Sequence, residues 1–224
     1  MPPAQFSASQ IWATTLFYAR WQEHAAEAPG VIEHLYALRA QETTSIASGV
    51  APGAKSREGL FESRFDLFNS EHPGLRKLIA FIGSTLRSAI AQVNNNRFEP
   101  SQINVCATES WFHITNDGGY HDAHHHHNCS WCGIYYAQAG DANEPDETGG
   151  GRNGGNRFYS PIAYGGSYWD VGNEYMRTGT YNITPEDGLL VLFPSYLLHS
   201  ALPYRGTKDR IVISFNSQAV RRSG

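Results

Sequence analysis

The hydrophobic pattern changes from a helical period to a period of two near residue 95, and this change constrains the fold more than any other feature. Beyond it, short runs rich in β-branched and aromatic residues alternate with turn clusters, and fourteen of the 22 glycines lie between Gly118 and Gly188. Several such runs at short spacing are typical of antiparallel sandwiches and barrels. The predicted strands cover residues 103–115, 131–137, 157–160, 189–193 and 210–216.

The part of the chain before this change carries helical signals. Apolar residues recur at helical spacing between Leu75 and Ile90, after a start signal at His72-Pro73-Gly74 and before a run of asparagines at residues 94–96. Pro and Gly residues divide the remainder into further segments. These are predicted as a helix over residues 10–27 that ends at Pro29-Gly30, a helix over residues 31–41 and a loop over residues 43–69.

Together these patterns predict a mainly β fold with flanking helices. We expect a helical support region over residues 1–95 and a catalytic β core over residues 96–224, integrated into one domain. Two segments of the core are candidates for covering a site. They are the glycine-rich stretch at residues 140–156, which is too long for a plain hairpin, and the aromatic stretch at residues 164–175.

Charge and composition argue against several classes of partner. The 17 Lys+Arg and 21 Asp+Glu residues give a net charge of −4 without a basic cluster, which disfavours nucleic acid and anionic membranes. No apolar run is long enough to span a membrane, and no secretory signal pattern is visible.

The chain has three cysteines, which are too few for a disulfide framework, so we expect a cytoplasmic protein. The Cys129-x-x-Cys132 pair is interpreted as two buried small hydrophobes, with thiol chemistry or zinc binding as the alternative.

Histidine is unusually frequent, and five of the ten histidines lie between His121 and His127. On a strand, residues two apart face the same side, so His124 and His126 would present their imidazoles together. The only histidine after this cluster is His199, and two adjacent histidines with a distant third form a metal site that keeps open positions. From the residues alone, a catalytic metal site and a solvated histidine run without function both remain open.

Arg210 lies eleven residues after His199, at the start of a predicted strand. An arginine that points inward beside a metal is a costly buried charge unless an anion meets it, and its planar guanidinium suits a carboxylate. The sequence therefore predicts an anionic small molecule near the metal. The alternative is a surface ion pair with Asp209, Glu186 or Asp187.

Several of these motifs resemble one family when taken in order. They are GYHDAHHHHN at residues 119–128, WCGIYY at 131–136, NRFYSP at 156–161, LVLFPS at 190–195 and the strand from Arg210. In order and spacing, residues 101–217 are similar to the iron(II)- and 2-oxoglutarate (2OG)-dependent oxygenases, in a group like the prolyl hydroxylases. The resemblance implies a double-stranded β-helix, a barrel of the jelly-roll or cupin type.

The resemblance also implies a set of site residues. It assigns Fe(II) to His124, His126 and His199, and the distal carboxylate of 2OG to Arg210. Tyr136 matches a second contact of that carboxylate, and His113 falls near a third. The implied reaction hydroxylates an unactivated C–H bond with O2, while 2OG is decarboxylated to succinate. An amino acid, another small metabolite or a peptide side chain is the expected substrate.

The metal ligands depart from the pattern of most members of this family. Those enzymes use two histidines and one carboxylate, whereas no histidine here is followed two residues later by Asp or Glu. A triad that includes His121 and Asp122 is therefore the alternative to three histidines. A three-His cupin-type dioxygenase that uses no keto acid, with Arg210 on a substrate carboxylate, is a second function class. A non-catalytic metal-binding protein that also uses His121, His125 and His127 is a third.

Overall fold

A computed structural model describes residues 14–47, 54–142, 153–162, 170–171 and 179–222. Within these residues, strands and two α-helices alternate with two single-turn 3₁₀ helices at Leu67–Asn69 and Pro100–Gln102. In chain order the main elements are β1 (Phe17–Arg20), α1 (His24–Ala47), β2 (Lys55–Arg57), β3 (Leu60–Glu62), α2 (Pro73–Val93), β4 (Ile103–Thr115), β5 (Gly119–His124), β6 (Trp131–Gln138), β7 (Asn156–Tyr159), β8 (Thr180–Ile183), β9 (Leu189–Pro194), β10 (His199–Tyr204) and β11 (Arg210–Arg221).

The strands form two antiparallel sheets. The major sheet has the order β1-β9-β6-β11-β4-β3-β2, and the minor sheet has the order β5-β10-β7-β8. The predicted mainly β fold with flanking helices is confirmed, and each of the five predicted strands is present, with β11 longer than expected. The predicted barrel is not closed, because no described strand belongs to both sheets.

The helical part differs from its prediction at two places. The segment predicted as a helix at residues 10–27 contains β1 instead, because Phe17–Arg20 pairs with β9 at the edge of the major sheet. The Pro29-Gly30 pair does not end a helix but lies inside α1. Proline there removes one backbone hydrogen bond near the start of the helix, and burial of the apolar face, including Val31 and Leu35, offsets that loss.

Helix α2 lies where the sequence predicts it, whereas the segment at residues 43–69 does not fully match its prediction. Helix α2 begins at Pro73 and ends at Val93, as its start and stop signals predict. It packs closely on α1, where a side chain at Gly74 would lie only 2.8 Å from the Val31 methyl. The predicted loop over residues 43–69 is wrong in part, since it contains the end of α1 and the β2–β3 hairpin. None of the described helices combines the length and apolar content that crossing a membrane requires.

Two hydrophobic cores flank the major sheet and follow from the alternation along its strands. In β11, Ile211, Ile213 and Phe215 face the helices, where they pack with residues such as Leu78. Val212 lies on the opposite face, in a second core that includes residues of both sheets. Since Arg210 is two residues from Val212, the same period of two turns it toward the space between the sheets.

Two predicted covering segments lie largely outside the described residues. Within the glycine-rich stretch at 140–156, residues 143–152 are not described. Most of the aromatic stretch at 164–175 is not described either.

Candidate metal centre

Three histidines from two neighbouring strands meet between the sheets. His124 ends β5 and His199 begins β10, and the two residues are direct partners in the antiparallel pair. Their ring centroids are 4.4 Å apart, and the ring of His126 lies 5.0 Å from His124 and 5.2 Å from His199. One ring nitrogen from each residue lies within 4.8 Å of the others. We call His124, His126 and His199 the histidine centre.

The position of His126 has a different cause from the one the sequence suggested. The prediction placed His124 and His126 on one strand, but β5 ends at His124. The backbone after β5 is instead held by the His126 N–H, which donates to the carbonyl of Ser195 at 3.1 Å. This bond joins the histidine run to the segment just before β10, and so brings His126 to the other two rings.

The three imidazoles are neutral at pH 7. Burial, together with the neighbouring imidazole of His124, lowers the pKa of His199 to about 3 and that of His126 to about 4. Burial also lowers the pKa of His124. A neutral imidazole keeps a lone pair for a metal ion, so the centre needs no proton release near neutral pH to accept one.

Backbone carbonyls fix the tautomer of two of these rings. The Nδ1 of His124 donates to the carbonyl of Asp122 at 2.7 Å, and the Nδ1 of His199 donates to the carbonyl of Leu197 at 2.9 Å. Because a carbonyl only accepts, the hydrogen of each ring is on Nδ1 and the lone pair is on Nε2. Outer hydrogen bonds of this kind orient histidine ligands in metal sites.

Other members of the histidine run lie outside this centre. The carboxylate of Asp122 belongs to neither group of clustered ligand atoms among the described residues, and Asp122 is exposed. The alternative triad of His121 with Asp122 is therefore not assembled. His125 and His127 are also exposed, and their rings contact each other with centroids 4.6 Å apart.

Arg210 is buried at the head of β11, with only 2% of its surface exposed. Its Nη2 donates to Asn156 Oδ1 at 2.6 Å, and its guanidinium lies 5.4 Å from the centre of the Tyr136 ring. The Tyr136 hydroxyl donates to the same Asn156 oxygen at 2.7 Å. Among the described residues, no carboxylate pairs with Arg210, and its Nε has no hydrogen-bond partner.

The predicted surface alternative for Arg210 is wrong. Arg210 is buried, and the side chain of Asp209 faces elsewhere, where it accepts bonds from Tyr36 at 2.9 Å and Asn116 at 3.0 Å. Burial raises the pKa of Tyr136 to about 12, so that its hydroxyl is neutral. The guanidinium is therefore an uncompensated buried charge, which is costly unless an anion binds to it.

A second cluster occupies the same cavity. His113 Nε2 lies 3.0 Å from Glu62 Oε2, and His121 Nε2 lies 3.3 Å from the same oxygen. We call Glu62, His113 and His121 the glutamate cluster. His113, which the family resemblance indicated as a contact of 2OG, has its Nε2 bonded to Glu62 in this cavity. Glu62 was missed because it falls in the segment predicted as loop.

Both clusters and Arg210 line one cavity of about 290 Å³. Asn156, which the sequence analysis also missed, joins Arg210 to Tyr136 in its wall. The alternation of β7 could have indicated it, since Asn156 and Phe158 are buried while their neighbours are less so. Three neutral nitrogen ligands with an unpaired guanidinium in the same cavity can hold a divalent metal and a carboxylate-bearing ligand together.

The comparisons with known proteins agree with this geometry. Residues 109–216 match the family described as "Putative 2OG-Fe(II) oxygenase". No curated protein matches the chain. The fold is shared with several solved structures that have low sequence identity.

Three of these structures illustrate the likeness. AviO1 from Streptomyces viridochromogenes Tue57 is 14% identical over 91% of this chain and 90% of its own, with a TM-score of 0.53. HygX from Streptomyces hygroscopicus, solved with nickel and 2-oxoglutarate, is 10% identical over 92% and 83%, with a TM-score of 0.56. The epimerase SnoN, in complex with Fe3+, alpha ketoglutarate and nogalamycin RO, is 9% identical over 93% and 81%, with a TM-score of 0.57.

These likenesses establish the double-stranded β-helix fold of 2OG oxygenases, with its two sheets left open here. The family match implies the use of Fe(II), 2OG and O2. The matched segment contains the histidine centre together with Tyr136, Asn156 and Arg210. Through residues 109–216, just under half of its length, the chain thus matches the 2OG-Fe(II) oxygenase family.

Proposed function

We propose that the protein is a 2OG-dependent Fe(II) hydroxylase that acts on an amino acid or another small metabolite. The observation that carries this proposal is the unpaired buried guanidinium of Arg210 in the same cavity as three neutral imidazoles. A keto acid with a second carboxylate has the groups that such a pair of sites requires. One end would bind a metal, and the other would neutralise the guanidinium.

The histidine centre fits Fe(II) by its donor chemistry. In the proposal, His124, His126 and His199 would hold the metal through ring nitrogens, and this ligand set would leave coordination positions for the keto-carboxylate end of 2OG. Once bound, Fe(II) would activate O2, which is the oxidant: one oxygen atom would go to the substrate and the other to succinate, and 2OG would lose carbon dioxide. The protein's own contribution is to position the substrate and exclude water from it.

The anion site is assigned to Arg210, with Tyr136 and Asn156 as its support. Arg210 would bind the distal carboxylate through its free Nε, and the Tyr136 hydroxyl, which shares the acceptor Asn156 Oδ1 with Arg210, would turn toward that carboxylate. Asn156 holds both side chains in place through one oxygen. We do not retain His113 as a co-substrate contact, because its Nε2 is bonded to Glu62.

Two measurements test this function together. Anaerobic addition of 2OG to the Fe(II) protein should produce a visible charge-transfer band, and addition of O2 should then release succinate. Arg210→Ala should raise the 2OG concentration for half-saturation of the band roughly 10- to 150-fold, since a charged hydrogen bond contributes roughly 1.5–3 kcal/mol. Arg97→Ala, at an exposed arginine outside the cavity, is the matched control.

The same experiment separates the alternative functions. A three-His dioxygenase that uses no keto acid would show neither the band nor succinate. A metal-binding protein without catalysis would bind iron but release no product. Hydroxylation itself is tested by the mass of the product, because the SnoN structure is that of an epimerase and this fold therefore supports other outcomes.

A further inference from the structure

The glutamate cluster is assembled from three strands that belong to both sheets. Glu62 ends β3 and His113 lies on β4, and the two residues are direct partners across the antiparallel pair. His121 reaches them from β5, a strand of the minor sheet. The cluster therefore joins the two sheets beside the histidine centre, and the rings of His121 and His124 have centroids 4.5 Å apart.

The separations of its atoms fit a metal site. Glu62 Oε2 lies 3.0 Å from His113 Nε2 and 3.3 Å from His121 Nε2, and the three ligand atoms lie within 4.8 Å of one another. Ligand atoms at roughly 2.0–2.1 Å from a tetrahedral zinc ion lie about 3.3 Å apart. The two separations from Glu62 already match that spacing, so a metal could replace the two hydrogen bonds if each imidazole carried its hydrogen on Nδ1 and offered Nε2.

The charges of the cluster also favour a cation. Glu62 is 7% exposed, and although burial by itself raises the pKa of its carboxyl, the bonds from His113 and His121 outweigh burial and hold it well below its usual range. Burial lowers the pKa of His113, so this ring is neutral at pH 7. The only described ion pair of Glu62 with a permanent cation is to Lys55, whose side chain is 73% exposed. The negative charge of Glu62 is thus stabilised mainly by hydrogen bonds from two imidazoles and not by a buried cation.

We propose that Glu62, His113 and His121 bind a second divalent transition-metal ion, of the zinc class, in the same cavity as the histidine centre. Two imidazoles and one carboxylate are a ligand set that such ions accept, with open positions for water or substrate. Two dications this close repel each other, so the second ion should bind more weakly when the histidine centre is filled. The charge of Glu62 offsets part of that repulsion.

Equilibrium dialysis of the metal-free full chain against Zn²⁺ tests this proposal, with bound metal measured by mass spectrometry. The wild type should take up two ions per chain at saturation. Glu62→Gln, which keeps the shape of the side chain and removes its charge, should take up one. His199→Ala should also take up one, because it damages only the histidine centre, and His127→Ala, at an exposed histidine outside both clusters, should still take up two.

Saturation of the wild type at one ion would overturn the proposal, as would retention of two ions by Glu62→Gln. If Glu62→Gln does not fold, as judged by its thermal unfolding, His121→Gln provides the same test at the most exposed member of the cluster. Failure here is distinguishable from failure of the proposed function. One ion with a normal 2OG band would refute only the second site, whereas two ions without the band would refute only the oxygenase assignment.

Discussion

The histidine centre presents three neutral imidazoles, whereas the glutamate cluster, a few ångströms away, contains an ionised carboxylate between two imidazoles. A dication at the first would keep its full charge in a cavity that also contains the buried guanidinium of Arg210. A dication at the second would be partly neutralised by Glu62. A metal ion at the histidine centre would therefore depend on an anion from outside the chain, and one at the glutamate cluster would not.

The two clusters also differ in how the chain builds them. The histidine centre is formed by one pair of strands, β5 and β10, and the short link after β5. It lies wholly inside the segment that matches the oxygenase family, whereas Glu62 precedes that segment. The first cluster thus belongs to the shared core of the fold, and the second depends on the β2–β3 hairpin at the edge of the major sheet.

The largest effect should follow from removal of a ligand from the histidine centre. His199→Ala should lower succinate formation more than about 100-fold, because loss of an outer partner of a metal ligand alone costs roughly 10–100-fold. Activity is measured at saturating 2OG with added Fe(II), beside His127→Ala as the control. Near-normal turnover in His199→Ala would remove this residue from the iron site.

A carboxylate introduced next to Arg210 should take the place of the external anion that the guanidinium would otherwise bind. In Asn156→Asp, the new carboxylate would occupy the position from which Asn156 Oδ1 contacts Arg210 Nη2 at 2.6 Å. It should pair with the guanidinium and compete with 2OG, raising the 2OG concentration for half-saturation about 30-fold, or about 2 kcal/mol. Asn156→Ala is the matched control, because it removes the Asn156 amide and its hydrogen bonds without adding a charge. An equal rise in the 2OG concentration for half-saturation in both variants would argue against competition by charge.

Acid should destabilise the metal-free protein through its buried histidines. The pKa of His199 is about 3 when folded, below its ordinary value of 6.5, so the unfolded chain binds more protons as the pH falls below 6.5. The stability is complete above pH 6.5 and is lost progressively toward pH 3, by about 2 kcal/mol for His199 between pH 7 and pH 5. The pKa of Glu62 is lowered too, and its contribution disappears only at much lower pH.

Denaturant unfolding of the metal-free chain at pH 7 and pH 5 measures this loss. His199→Asn should lose about 2 kcal/mol less than the wild type over the same interval, since asparagine does not titrate. An equal loss in the two proteins would show that the neutral state of His199 does not contribute to the acid sensitivity.

The sequence predicted the histidine centre better than its surroundings. Three histidines and Arg210 could be recognised from spacing and family resemblance, although His126 reaches the centre from the link after β5 and not from the strand itself. Glu62 could not, because it meets His113 only through the pairing of β3 with β4, and no local pattern encodes a contact between residues 51 positions apart. The prediction that a helix ends at Pro29-Gly30 was wrong for a related reason. Tertiary packing of α1 outweighs the local stop signal of these two residues.

Exchange of one imidazole for a carboxylate would make the histidine centre resemble the glutamate cluster. In His126→Asp, the metal would gain an anionic ligand, so that Fe(II) should bind about 10-fold more tightly, or about 1.4 kcal/mol, and the 2OG dianion more weakly by a similar factor. Competition with a chelator measures the first change, and anaerobic titration of the charge-transfer band measures the second. His126→Asn, which has similar size and no charge, should lose iron affinity instead. If Asp and Asn behave alike, charge is not what distinguishes the two clusters, and the need of the histidine centre for an external anion would have to arise from Arg210 alone.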